Sequence, residues 1–258
     1  MTSKRLALFL GASILSSFAF AADGQECAPG DLVPVDAWLA KHPWTVGKTS
    51  PDALITAACK RWPADPNVLI VAAAYMQGED DKNEIVALVD RKAGAVRATY
   101  TGTIAEDTIT RVGSFRIDTA RYDLAPGVRA FGVDFSSAGR ASGAAEFVRS
   151  GPERSLFVQH GGNLEPVLAG FSLTTWKAVP ARGPQGELSN YTIAIGATRS
   201  HGLADLVITR TTEPDEDGTP AVSERALWRF DGKRYGDAGP GVSTRLDPRP
   251  AASAPARP

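Results

Sequence analysis

The residues best suited to bind a metal ion lie in one acidic stretch, from Glu213 to Glu224. Counted from Glu213, carboxylates occupy positions 1, 3, 5 and 12 and Gly218 occupies position 6, which is the spacing of calcium-binding loops that join two helices. The segments on either side of this stretch instead have the apolar alternation of strands. We therefore favour a solvated acidic turn between two strands and predict no cofactor. A calcium-stabilised structural module stays an alternative.

The sequence has no motif that predicts covalent catalysis. The pattern Gly-x-Ser-x-Gly is absent, and the segment nearest to it, residues 139–143, has a different spacing. His42, His160 and His201 are far apart and each precedes Pro or Gly, which predicts exposed loop positions rather than a metal site. Two carboxylates for glycoside hydrolysis would not stand out, because they need to be close only in space. We favour a protein without catalytic activity and keep a hydrolase as an alternative.

The first residues of the chain have the pattern of a secretory signal peptide. Lys4 and Arg5 precede an almost unbroken apolar run over residues 6–18, and Ala19 and Ala21 give the small-x-small pattern for cleavage after Ala21. The apolar run is shorter than the roughly 20 residues that cross a bilayer, so we expect no retained anchor. The sequence therefore predicts a soluble protein of the periplasm or extracellular space.

Two cysteines, Cys27 and Cys59, follow the predicted cleavage site. An even number of cysteines without Cys-x-x-Cys spacing, in a chain sent to an oxidising compartment, favours a structural disulfide over redox or zinc chemistry. Cys27 follows Gly24-Gln25-Glu26 rather than small apolar residues, which argues against a lipid-modified cysteine. Two free, buried thiols are the alternative to the disulfide.

Charge excludes two classes of partner. The chain has 28 basic and 29 acidic residues without a long run of either sign, unlike a nucleic-acid binder or a polybasic protein of the membrane surface. The remaining possible partners are an envelope or extracellular protein or a glycan, and the sequence leaves the oligomeric state open.

The elements that must position any site divide the chain into four parts. We predict a signal peptide over 1–21, a disulfide-linked helical segment over 22–66, a β domain over 67–245 and a flexible Pro/Ala-rich tail over 246–258. In the helical segment, a short helix runs from Asp36 to Lys41, before Pro43. A second helix is predicted from Ser50 to about Arg61, because Ser50 can cap it and Pro51 suits its first turn.

From Asn67 onward the apolar residues alternate with a period of two, which predicts strands. The predicted strands are 68–76, 84–90, 96–101, 115–122, 128–135, 155–159, 164–168, 191–198, 205–211 and 226–230. The fold class is therefore mainly β: an antiparallel meander, propeller-like or sandwich body with a short N-terminal helical segment.

Three segments resemble variants of one hairpin: Val86 to Val96, Leu156 to Leu164 and Leu227 to Tyr235. Each is an apolar strand, a glycine turn and a second strand. Their glycines recur at nearly equal intervals, which is typical of repeated β units such as propeller blades. Irregular glycine turns of an ordinary meander are the alternative.

Two of these stretches, 204–209 and 227–235, carry a resemblance to the FG-GAP or VCBS-type blades of integrin-like β-propellers. That family places an acidic, glycine-rich calcium loop before its Asp-Leu-Val-Val strand, whereas residues 199–202 here are Arg-Ser-His-Gly. The stretch at 229–235 also resembles the C-terminal hairpin of uncharacterised secreted bacterial proteins. The resemblance implies β architecture and no particular activity.

Tryptophans are the last candidates for a site. Trp38, Trp44 and Trp62 lie in or near the disulfide-linked segment, where an aromatic face would bind a sugar or a peptide. A core that needs large apolar side chains explains them as well, and we favour core packing. Taken together, the sequence predicts an exported, non-catalytic binding protein.

Overall fold

A computed structural model describes residues 25–42, 53–76, 81–105, 111–138, 148–178, 186–214 and 221–237. The predicted signal peptide, Trp44, the segment 139–143 and the predicted tail lie outside these residues.

Over the described residues the fold is mainly β, as predicted, with one short helix that begins at Val33 rather than at Asp36. The elements are α1 (Val33–Lys41), β1 (Leu54–Trp62), β2 (Asp65–Met76), β3 (Asp81–Asp90), β4 (Ala95–Ala105), β5 (Val112–Ala125), β6 (Val128–Ser137), β7 (Val148–Ser150), β8 (Glu153–His160), β9 (Asn163–Ser172), β10 (Thr174–Ala178), β11 (Gly186–Ser200), β12 (Leu203–Pro214), β13 (Val222–Phe230) and β14 (Tyr235–Asp237). Each of the ten predicted strands is present, and all ten are longer than predicted.

The strands form two sheets. The larger one, here called the barrel sheet, has the order β1-β2-β3-β4-β9-β8-β6-β5, and the second sheet has the order β14-β13-β12-β11-β10-β7. The barrel sheet curls until its first strand, β1, contacts its last strand, β5. Neighbouring strands are antiparallel except β4 and β9, which run parallel.

The second predicted helix, Ser50 to Arg61, is wrong over the described part of that range, because Leu54–Trp62 is strand β1. β1 pairs antiparallel with β2, and Cys59 lies opposite Val71. Ala58 faces the interior of the curled sheet and Cys59 faces the other side, where α1 packs. The alanine residues favour a helix locally, but pairing with the edge of β2 stabilises a strand instead and buries Ala58 on one face and Cys59 on the other.

The predicted disulfide between Cys27 and Cys59 is present. It joins the segment before α1 to β1, closing a loop with a sequence separation of 32, which contributes about 3 to 4 kcal/mol in the chain-entropy model. Beside it, Gln25 closes the seam of the barrel sheet. Its carbonyl accepts from the Cys59 amide at 2.7 Å, and its side-chain amide makes bonds of 3.0 and 2.6 Å with the carbonyl and amide of Ile117 on β5.

Three apolar clusters hold the fold together. One fills the interior of the barrel sheet, where Phe131, Val133 and Phe157 lie. A second lies under α1, with Val35 and Leu39 against β2 and β3. The third joins the two sheets. Its members are Tyr122, Leu124, Ala130, Leu156, Val158, Val167, Leu168, Leu206, Ile208, Phe230 and Tyr235.

All three predicted hairpins are present, as β3–β4, β8–β9 and β13–β14. The turn glycines Gly94 and Gly232 have φ of 60° and 102°, a conformation that residues with a Cβ rarely adopt. The first two hairpins belong to the barrel sheet and the third lies at the edge of the second sheet.

Candidate functional site

A cavity of about 220 Å³ lies at one end of the barrel sheet. Three strands, β3, β5 and β8, begin at this end of the sheet, and three others, β4, β6 and β9, finish there. The first residues of the former and the last residues of the latter line the cavity. The lining residues are Glu84, Val86, Thr103, Ile104, Phe115, Val133, Phe135, Glu153, Ser155, Phe157 and Gly170. The cavity therefore opens directly from the apolar interior of the sheet.

The cavity coincides with a gap in the wall of the sheet. The described pairing between β4 and β9 consists of one bridge, which joins Thr99 in the middle of β4 to Asn163 at the start of β9. Farther along β4, Thr103 and Ile104 line the cavity and pair with β3 but not with β9. Gly170, on β9, lines the cavity as well. Over the described residues, β4 and β9 are therefore not paired beside the cavity.

Glu84 is the half-buried carboxylate of the cavity. Burial raises its pKa above the ordinary value for glutamate. Within the described residues, no hydrogen bond or ion pair engages its carboxylate, so nothing offsets the loss of hydration when it is ionised. Tyr100, on β4, lies close by, and its pKa is raised first by burial and then by the charge of Glu84.

A glycine on the neighbouring strand makes room for this carboxylate. Gly102 lies opposite Glu84 in the β3–β4 register. A Cβ at position 102 would lie 2.8 Å from the Tyr100 hydroxyl and 3.2 Å from Glu84 Oε1. Any larger residue at position 102 would displace the Tyr100 hydroxyl and the Glu84 carboxylate. The glycine therefore leaves space beside β4 for both side chains.

The second carboxylate, Glu153, is exposed and stands at the β8 side of the cavity. It also lies over a glycine, since a Cβ at Gly170 would be 3.6 Å from Glu153 Oε2. Ser155, two residues along β8, accepts a hydrogen bond of 3.2 Å from the Gly170 amide. This side of the cavity therefore presents one carboxylate and one hydroxyl.

The rest of the cavity wall is aromatic and aliphatic. The rings of Phe115 and Phe135 are 5.7 Å apart, and the ring of Phe157 is 5.2 Å from that of Tyr100. Apolar side chains combined with a small number of polar groups are typical of sites that bind a small molecule and fix its orientation. The volume suits a ligand of fewer than about ten heavy atoms, since a cavity of roughly 150 Å³ accommodates benzene.

The sequence-predicted calcium stretch is described only in part. Asp215, Asp217 and Gly218 lie outside the described residues. The flanking segments are strands β12 and β13, as expected, and Glu224 forms an ion pair with Arg210. Among the described residues, no group of three His, Cys, Asp or Glu side chains is placed to hold a metal ion.

The histidines are exposed, as predicted, and lie apart. His42 stacks on Trp38, His160 pairs with Glu165 at 2.9 Å, and His201 bonds to the Phe230 carbonyl at 2.8 Å.

The described tryptophans are also separate from one another. Trp62 packs edge-on against Phe131 and Trp228 against Phe171, in different clusters. They are packing residues and do not form one aromatic face.

Sequence reasoning missed Glu84 and Glu153 as partners in one cavity. A signal was present for Glu84, because it shares the alternation of Val86 and Leu88 and therefore faces the interior of the sheet. An acid on an inward face is costly unless it is used or paired. No comparable signal marked Glu153, which follows the short stretch Gly151-Pro152.

Comparison of the chain with protein-family models, curated protein sequences and solved structures finds no match. The described residues include no helix with the length and apolar composition to cross a bilayer.

Proposed function

We propose that this chain is an exported, non-catalytic binding protein of the periplasm or extracellular space, and that the cavity at the end of the barrel sheet is its ligand site. The observation that carries this proposal is the cavity itself: aromatic and aliphatic side chains in its lining, a carboxylate that no described group pairs, and strands β4 and β9 that are not paired beside it. The signal-like N-terminus and the Cys27–Cys59 disulfide support export.

Binding is tested with a probe that fits the cavity and a variant that fills it. Wild type is titrated with n-hexanol and followed by NMR shifts of the cavity methyl groups. In Ser155→Leu the new side chain takes up cavity space, so we expect at least a tenfold loss of affinity. Ser223→Leu, at an exposed position of β13, is the matched control and should bind as wild type does.

Two results would contradict a site in this cavity. One is that n-hexanol, n-hexylamine and n-hexanoate all fail to produce saturable NMR shifts. The other is equal affinity in wild type and Ser155→Leu when both variants keep the native spectrum.

A hydrolase is the second candidate, because the cavity contains two carboxylates in different environments, one half-buried with a raised pKa and one exposed. Glycosidases use such a pair, one as acid and one as base or nucleophile. The sequence has no motif that predicts catalysis, so we place this candidate second. Glycoside turnover that stops in Glu84→Gln would reverse the order.

A further inference from the structure

We propose that the ligand of the cavity is a small organic cation: an amine whose ammonium group lies against Glu84 and whose apolar part lies among the aromatic side chains. This inference rests on the proposed binding function and adds the charge of the ligand to it. It follows from the charges at the cavity, the missing partner of Glu84 and the aromatic walls.

The charges that line the cavity among the described residues are negative. Glu84 and Glu153 are the acids of this described lining, and none of its residues is Lys, Arg or His. Two cations on the same strands, Lys82 and Arg154, do not line the cavity. Lys82 is 6% exposed, has a partner of its own and does not line the cavity. Arg154 points to the opposite face of β8, where it pairs with Asp134 and Asp118.

A cation is the ligand group that stabilises an ionised, half-buried carboxylate. Removing Glu84 from water has a free-energy cost that no described group offsets. An ammonium group supplies three donors and a full opposite charge. It can therefore donate one hydrogen bond to the Glu84 carboxylate and another to the Tyr100 hydroxyl oxygen. A ligand carboxylate would add a third negative charge to the site and is disfavoured.

The walls suit the remainder of such a molecule. Phe115, Phe135 and Phe157 line the cavity, and a cation near an aromatic face gains further electrostatic attraction. The apolar part of the amine would contact the same rings and Val133 at the inner side. The site therefore separates a charged end, at Glu84 and Glu153, from an apolar end.

Three probes of equal length separate the charge of the ligand from its size: n-hexylamine, n-hexanol and n-hexanoate. Each is titrated into wild type at neutral pH by calorimetry. We expect hexylamine to bind at least tenfold more tightly than hexanol, and hexanoate to bind most weakly. In Glu84→Gln the preference for hexylamine should fall about tenfold while hexanol affinity stays the same. Glu187→Gln, an exposed acid on β11, is the matched control.

A pH series gives a second readout that needs no variant. Protonation of Glu84 should remove the preference for hexylamine as pH falls, while hexanol affinity stays nearly constant. The titratable and charged groups around Glu84 are Lys82 on its own strand, Tyr100 on β4 and Glu153 on β8. Of these, Glu153 shares the cavity, so Glu153→Gln repeats the series to assign the effect to Glu84.

The two proposals fail in different ways. If hexanol and hexylamine bind equally well, or hexanoate binds best, the cavity is a binding site but the inferred cation is wrong. If none of the three probes binds, the proposed binding function fails and the inference with it. Retention of the hexylamine preference in a folded Glu84→Gln variant would also overturn the inference.

Discussion

Adjacent residues on β8 belong to two charged regions with opposite arrangements. Glu153 points to the cavity, where the acids have no partner among the described residues. Arg154 points to the other face and is fully engaged: Nε and Nη2 bond Asp134 at 2.6 and 2.8 Å, and Nη1 contacts Asp118 at 2.6 Å and the Tyr122 hydroxyl at 2.8 Å.

The comparison distinguishes charges that are paired within the protein from a charge that is available to a ligand. Arg154 is 8% exposed and Asp134 is 3% exposed, yet each has a partner of opposite charge, so burial is compensated within the protein. At the cavity, Glu84 is half-buried without such compensation. A group that the fold itself does not stabilise is the one that a ligand can stabilise.

Removing the central cation of the paired region should have the largest effect. Arg154→Met leaves the buried Asp134 and the half-buried Asp118 without their shared cation, and breaking a buried pair in this way costs about 3 to 5 kcal/mol. Urea denaturation at neutral pH measures the free energy of unfolding. Adding Asp118→Asn and Asp134→Asn to Arg154→Met should restore most of the lost free energy of unfolding, because the two uncompensated charges are removed. A loss under about 1 kcal/mol for the single variant would mean that the network contributes little.

A smaller effect with a defined pH dependence is expected for Asp118. Burial raises the pKa of this carboxyl, but the Ala120 amide and the charge of Arg154 outweigh burial, and the net pKa is lowered. The ionised form therefore stabilises the fold above the ordinary pKa of 3.8, and this contribution is lost as pH falls through the lowered value. Asp118→Asn should lose about 1 to 2 kcal/mol at pH 7.

The measurement is the unfolding free energy of Asp118→Asn and wild type from neutral to acidic pH. The two curves should converge in acid. A constant difference at every pH would show that the hydrogen-bond geometry of Asp118, rather than its charge, is what the substitution removes.

The smallest effect should have the opposite sign. Because the pKa of Glu84 is raised, the neutral form is favoured in the fold, and stability falls as pH rises from the ordinary pKa of 4.5 through the raised value. Glu84→Gln removes this charge and should stabilise the protein by about 1 kcal/mol at neutral pH. The melting temperature should therefore rise at pH 7 and match wild type in acid. A lower melting temperature at pH 7 would indicate that the fold does pair this carboxylate.

Local patterns in the sequence were sufficient for most of the β structure. The alternation of Phe131, Val133 and Phe135 and the glycine turns at Gly94 and Gly232 act over a few residues, and the structure has the strands and hairpins that they predict. The prediction failed at residues 54–61, because the helix signal there was local, whereas the strand is decided by pairing with β2 and by the cover that α1 provides.

The sequence by itself determined a mainly β chain, one helix ending at Lys41 and the Cys27–Cys59 pairing, since two cysteines allow one intramolecular bridge. Only the tertiary structure decided which acids meet. Glu84 and Glu153 are on strands separated along the chain, and they share a cavity because β9 inserts between β4 and β8 and parts from β4 beyond one bridge. The order of strands in a sheet depends on long-range packing, which no local pattern of residues encodes.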